Sequence, residues 1–194
     1  MRTGLALLLS AVLLTSMVSS ALAGSSDAGE DINPDDSVPF SVAERTTPSQ
    51  DGATWALSVT LDDEAHGNGT TLAITTQICL NSGVCDPPVT QDVTVSDDDR
   101  TYAMELTPPS DHSYVNWRVK ATYTDDSTET FPTGDWYKTW SSCYYNDGTY
   151  EGVHADGDGC DIPASGESEG LLPFLGIGVV AVTLGLAVVV KRRS

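Results

Sequence analysis

Two kinds of residue that can do chemistry crowd into one stretch of this chain. Between Cys143 and Cys160 lie Asn146-Asp147-Gly148 and then Asp156-Gly157-Asp158-Gly159-Cys160-Asp161. Aspartates alternating with glycines let carboxylates and backbone carbonyls converge on one hard cation, so Asp147, Asp156, Asp158 and Asp161 are candidate calcium ligands. The stretch lacks a distal bidentate glutamate at fixed spacing, and an acidic turn tied by a disulfide is the other reading. Beside it stand Trp136, Tyr137, Trp140, Tyr144, Tyr145 and Tyr150. Such rings stack on sugars or anchor a protein partner, since Trp and Tyr dominate binding hot spots. Trp136 and Trp140 also fall on one strand face, where they would fill a core.

Residues for catalysis are not gathered in this way. His66, His112 and His154 fall in separate loops. There is no Gly-x-Ser-x-Gly, no His-Glu-x-x-His and no glycine-rich phosphate loop after a strand. Carboxylate pairs carry no information in a chain with 28 acidic residues, so glycosidase chemistry does not follow from them. The sequence points away from an enzyme. Four cysteines in an exported chain suggest two disulfides. Cys79 and Cys85 flank the turn residues Asn81-Ser82-Gly83, while Cys143 and Cys160 would close a loop whose bridging stabilises by roughly 3 kcal/mol. The other pairings stay open. A zinc site is disfavoured by the lack of Cys-x-x-Cys. Asn68-Gly69-Thr70 is a glycosylation sequon on an expected turn.

These residues sit in an exported, anchored chain. Residues 1–23 read as a signal peptide: Arg2 at the start, an apolar run, and the cleavage pattern Ala21-Leu22-Ala23 before Gly24. Residues 171–190 carry no charge and end at Lys191-Arg192-Arg193. A helix of that length spans about 30 Å, the hydrocarbon thickness of a bilayer. The basic tail, residues 191–194, stays in the cytoplasm and leaves the rest outside. All 28 acidic residues lie between Asp27 and Glu169, against Arg45, Arg100, Arg118, Lys120 and Lys138, a formal charge of −23. That field excludes nucleic acid and anionic lipid as partners of the outer part. Salt screens the self-repulsion, so a saline or calcium-rich exterior suits it.

Residues 24–37 are small and acidic and read as a disordered spacer, and residues 163–170 as a stalk. Between them, residues 38–162 suffice for one domain. Their apolar residues alternate with polar ones, which predicts strands. Trp55, Leu57, Val59 and Leu61 share one face, as do Leu72, Ile74 and Ile78, with Asn68-Gly69 between the two runs as a hairpin signal. Val115, Trp117, Val119, Ala121 and Tyr123 face one way while Asn116, Arg118 and Lys120 face the other. About seven short strands separated by turn residues describe an all-β sandwich.

The run Leu106-Thr107-Pro108, then Tyr114, then Trp117-Arg118-Val119-Lys120-Ala121 resembles the corner and following strand of fibronectin type III modules. The resemblance implies a fibronectin-like or immunoglobulin-like sandwich in which the Tyr114 hydroxyl caps a corner. The stalk, Pro173-Phe174, apolar helix and basic end are similar to the tripartite C-terminal signals of archaeal cell-surface proteins, which implies anchorage by the helix or by a lipid after processing. The expected function is a membrane-anchored, non-catalytic extracellular binding or structural module of the cell envelope. Its partner would be an envelope protein or a glycan. Carbohydrate or calcium binding is the alternative.

Overall fold

The computed structural model describes residues 27–162. The signal peptide, stalk, membrane helix and basic tail expected from the sequence lie outside the described residues. Among those described, no helix is long and apolar enough to cross a membrane.

The fold is all-β and antiparallel. Its strands in chain order are β1 (Phe40–Arg45), β2 (Trp55–Leu61), β3 (Thr71–Leu80), β4 (Val89–Thr90), β5 (Thr94–Val95), β6 (Thr101–Leu106), β7 (His112–Thr122), β8 (Thr128–Phe131) and β9 (Tyr137–Trp140). Four more, β10 (Tyr144–Asn146), β11 (Thr149–Glu151), β12 (Ala155–Asp156) and β13 (Gly159–Cys160), form two small hairpins. One sheet runs β1-β2-β6-β5. The larger one runs β4-β3-β7-β8, and β9 continues along the edge of β7 that β8 leaves free. The count exceeds the seven strands expected because two-residue edge strands and the hairpins carry no alternation long enough to read.

Alternation decides which faces meet. Trp55, Leu57, Val59 and Leu61 of β2 are fully or almost fully buried, as are Val115, Trp117, Val119 and Ala121 of β7. With Ile74, Tyr102, Met104 and Tyr137 they form one cluster drawn from both sheets, the arrangement of a β-sandwich. Burying such side chains stabilises by about 1.5–3 kcal/mol each, the main driving force of the fold.

Two expectations are corrected here. The Asn68-Gly69 signal does not close a hairpin, because β2 and β3 lie in different sheets. A short helix, α1 (Asp63–Gly67), bridges them instead: Asp62 caps it by accepting from the Ala65 amide at 2.6 Å, and Asn68 ends it with Gly69 at φ +73°. A left-handed glycine after a helix's last residue is a common stop, so the same dipeptide serves a different end. Nor is the whole of 24–37 a disordered spacer. Ile32 forms a two-way backbone bridge with Lys138, its amide and carbonyl at 3.1 and 3.0 Å. That bridge covers the edge of β9 that faces away from β7.

Candidate functional site

Directly opposed residues in an antiparallel pair share a face, so register fixes what the outer side of the larger sheet displays. Across β3, β7 and its far edge stand Cys79, Tyr114 and Trp140; then Gln77, Asn116 and Lys138; then Thr75 and Arg118, with Thr90 of β4 beyond; then Ala73, Lys120 and Thr130. The Arg118 guanidinium lies 4.3 Å from the Trp136 ring centroid, and the Lys138 ammonium 4.3 Å from Tyr114 and 5.3 Å from Trp140. Trp140 packs edge-on to Tyr114 at 5.0 Å and tilted on Tyr144 at 4.6 Å. Cation–π contacts of about 0.5–2 kcal/mol hold the two charges in place. Burial pulls the Lys138 ammonium below the usual lysine range, with Asp135 partly opposing, and pushes the Tyr114 phenol up.

The face has the opposite sign to the rest of the molecule. Of the five basic residues in the described part, Arg45 is paired with Asp31 and Arg100 with Asp63. Arg118, Lys120 and Lys138 make no ion pair among the described residues. Beside Arg118 and Lys120 lies a cleft of about 580 Å³ whose wall includes Thr75, Thr90, Thr130 and Thr133. Another cleft of about 620 Å³ lies against Asp35, Asp36, Glu44 and Asp62, and its single cation, Arg45, is already engaged.

The aromatic residues singled out in the sequence divide between three places. Trp136 and Trp140 lie on the outer face, not in the core, because Tyr137 and Thr139 take the inward positions opposite Trp117 and Val115. Tyr137 is a core residue whose phenol burial pushes up to about 12, helped by the charge of Asp35. Tyr144 is buried against Trp140, while Tyr145 is exposed and packs edge-to-face with Tyr150 across the β10–β11 hairpin. Tyr114 lies on the outer face against Trp140 and Lys138, where the fibronectin likeness implied a corner.

Both local disulfides form, Cys79 with Cys85 and Cys143 with Cys160. The candidate calcium ligands are not brought together. Asp147 and Gly148, at φ +46° and +95°, are the two central residues of the β10–β11 turn, where both positive angles match a type I′ hairpin. Asp156 and Asp158 belong to the separate β12–β13 hairpin, with Gly157 at φ +58° in its turn, and Asp161 follows it. All four aspartates are exposed, and among the described residues no group of three or more His, Cys, Asp or Glu is placed to hold a metal. The Asp-Gly alternation therefore serves turn geometry. Asn68 is exposed at the end of α1, as an acceptor asparagine must be.

Gly152 is what lets the disulfide loop dock. Its φ is +107°, and a Cβ there would stand 2.4 Å from the Ser142 carbonyl oxygen, the acceptor of the His154 amide at 2.9 Å. Gly152→Ala is expected to cost about 2 kcal/mol or more, from backbone strain and from displacement of that acceptor. Urea unfolding checks it; a loss below about 0.5 kcal/mol would show that the loop is not docked as described.

The tightest polar constellation has no local signature in the sequence. Ser49 Oγ lies 2.8 Å from His112 Nε2, and His112 Nδ1 hydrogen-bonds the Asp51 carboxylate. Asp51 also accepts the Asp111 amide at 2.9 Å, and the Ser49 hydroxyl faces the Trp140 carbonyl at 3.1 Å. The order of groups is that of a serine nucleophile with its base and orienting acid. Yet Ser49 and His112 have no exposed surface. The nearby amides of Ser141 and Ser142 are occupied by the Ser113 and Ser49 carbonyls and do not serve an oxyanion. What the group does is latch the loop before β2 to the start of β7 and the end of β9. Burial lowers the His112 pKa below its usual value, and the hydrogen bond that His112 donates to the Asp51 carboxylate only partly opposes that. No known family model matches the chain and no curated protein is significantly similar to it, so the chemistry of the cationic face is carried by its own residues.

Proposed function

We propose that this chain is an exported module of the cell envelope, anchored by its C-terminal helix with its β-sandwich outside, and that it binds an envelope component through the outer face of the larger sheet. The sandwich is read as fibronectin-like or immunoglobulin-like on the residues around Leu106 and Ala121. The role is binding or structural, not catalytic. The observation that supports it is the outer face itself: three cations that make no ion pair among the described residues, two of them braced by aromatic rings, in an otherwise acidic ectodomain whose other two cations, Arg45 and Arg100, are ion-paired. Three cations without ion-pair partners on one sheet face suit recognition of a negatively charged surface.

The test is a photo-crosslinking amino acid placed at Thr75 on this face and, as the control, at Glu105 on the outer face of the other sheet, in intact producing cells. One envelope component captured from Thr75 and absent from Glu105 is the expected result. Equal capture from both positions, or none from Thr75, would remove this face as the binding surface.

A further inference from the structure

We infer that the cleft beside Arg118 and Lys120 is a subsite for an anionic sugar, a uronate residue of an acidic glycan. The inference rests on the reading of this face as a binding surface and narrows what binds there.

Three observations select the ligand class. The first is charge: Arg118 and Lys120 stand two residues apart on β7 and so point the same way, both without an ion-pair partner among the described residues. Glu129, the one carboxylate on the cleft, is engaged by the Tyr123 hydroxyl at 3.0 Å. The second is geometry. The Arg118 guanidinium carbon lies 4.3 Å from the Trp136 ring centroid, which holds the group at the cleft, and the N–H fork of a guanidinium matches a planar two-oxygen acceptor such as a carboxylate. The third is the wall: Thr75 and Thr90 share a hydroxyl–hydroxyl hydrogen bond at 3.2 Å and Thr133 donates to the Thr130 carbonyl at 3.4 Å, so with Thr130 they present hydroxyl lone pairs that accept from a sugar's ring hydroxyls. The acidic remainder of the molecule repels a polyanion at a distance, but charges beyond a Debye length of about 8 Å are screened at physiological salt while contact pairs are not.

The experiment is affinity electrophoresis of the purified full chain in detergent, through gels holding polygalacturonate, carboxyl-reduced polygalacturonate, dextran or polyglutamate. Retardation by polygalacturonate alone is expected, weakened about tenfold or more in Arg118→Gln/Lys120→Gln. Lys120→Glu, at an exposed position unable to disturb the core, should weaken it as much. Equal retardation by the carboxyl-reduced polymer would show that the carboxylate is not read. Retardation by polyglutamate alone would transfer the site to an acidic protein. Unchanged retardation of both variants would place binding elsewhere, and no retardation at all would also overturn the inference. In each of these cases the crosslink from Thr75 decides separately whether the face binds anything.

Discussion

Replacing His112 by glutamine is expected to lower stability by about 2–3 kcal/mol and to flatten the loss of stability as pH falls below the ordinary imidazole value. The first effect follows from burial: His112 is fully enclosed, and its loss leaves the Ser49 hydroxyl and the Asp51 carboxylate without the partner that both face. The second follows from linkage. Burial holds the folded pKa of His112 below the ordinary 6.5 of an unfolded chain. Between those two values the unfolded chain binds a proton that the folded chain refuses. Stability is thus complete above the ordinary imidazole value and declines as pH falls through it toward the folded pKa, by up to about 1.4 kcal/mol per pH unit for one proton. Urea unfolding at a series of pH values, followed by the fluorescence of the buried Trp55 and Trp117, measures both. The difference between the native chain and His112→Gln isolates this residue from the other titrating groups. Parallel pH curves for the two proteins would mean that His112 is not buried in the neutral form. Asp51→Ala should destabilise by a similar amount, because it strips His112 Nδ1 and the Asp111 amide of their common acceptor.

That latch marks the boundary of what the sequence makes legible. The strand of Trp55 to Leu61 and that of Val115 to Ala121 could be assigned with their faces, because a strict alternation against a buried sheet has only one register that hides the apolar set. Both disulfides were readable because each pair is close in sequence and separated by turn residues. Ser49 and His112, by contrast, are 63 residues apart, and nothing near either announces the other. Trp136 and Trp140 were ambiguous for a local reason. Residues 136–140 carry aromatic residues in both alternating sets, so hydrophobicity does not choose a face; the neighbours do, and Tyr137 and Thr139 lie opposite Trp117 and Val115. The Asp-Gly stretch is ambiguous for another reason, since glycine and aspartate are favoured both in cation loops and in tight hairpins. Only the strand ends show that two separate hairpins claim them.

The segment that composition marked as a spacer is expected to prove a structural part of the domain: Asp31→Ala should cost about 3 kcal/mol. One oxygen of Asp31 accepts the Trp140 amide at 2.8 Å; the other accepts from Arg45 at 3.0 Å and from the Thr47 hydroxyl at 2.7 Å. The pair is mostly enclosed, with side-chain exposures of 17% for Asp31 and 11% for Arg45. Removing one member of a buried pair leaves the other charge desolvated without compensation, which costs more than the pair itself contributes. Arg45 would keep Asn33, while its Nε has no partner even now. Adding Arg45→Met to Asp31→Ala should therefore recover part of the loss, and Asp31→Asn, which keeps an acceptor for the Trp140 amide, should cost less than alanine. Urea unfolding of the three variants tests this. A loss under about 0.5 kcal/mol for Asp31→Ala would return residues 27–37 to the role of a loose leader. The consequence reaches the outer face. Asp31 holds the backbone of Trp140, and Ile32 pairs with that of Lys138, so this acidic segment sets the position of two of the residues that give the face its charge and its rings. An aspartate with no place on the cationic surface is then one of the residues on which its geometry depends.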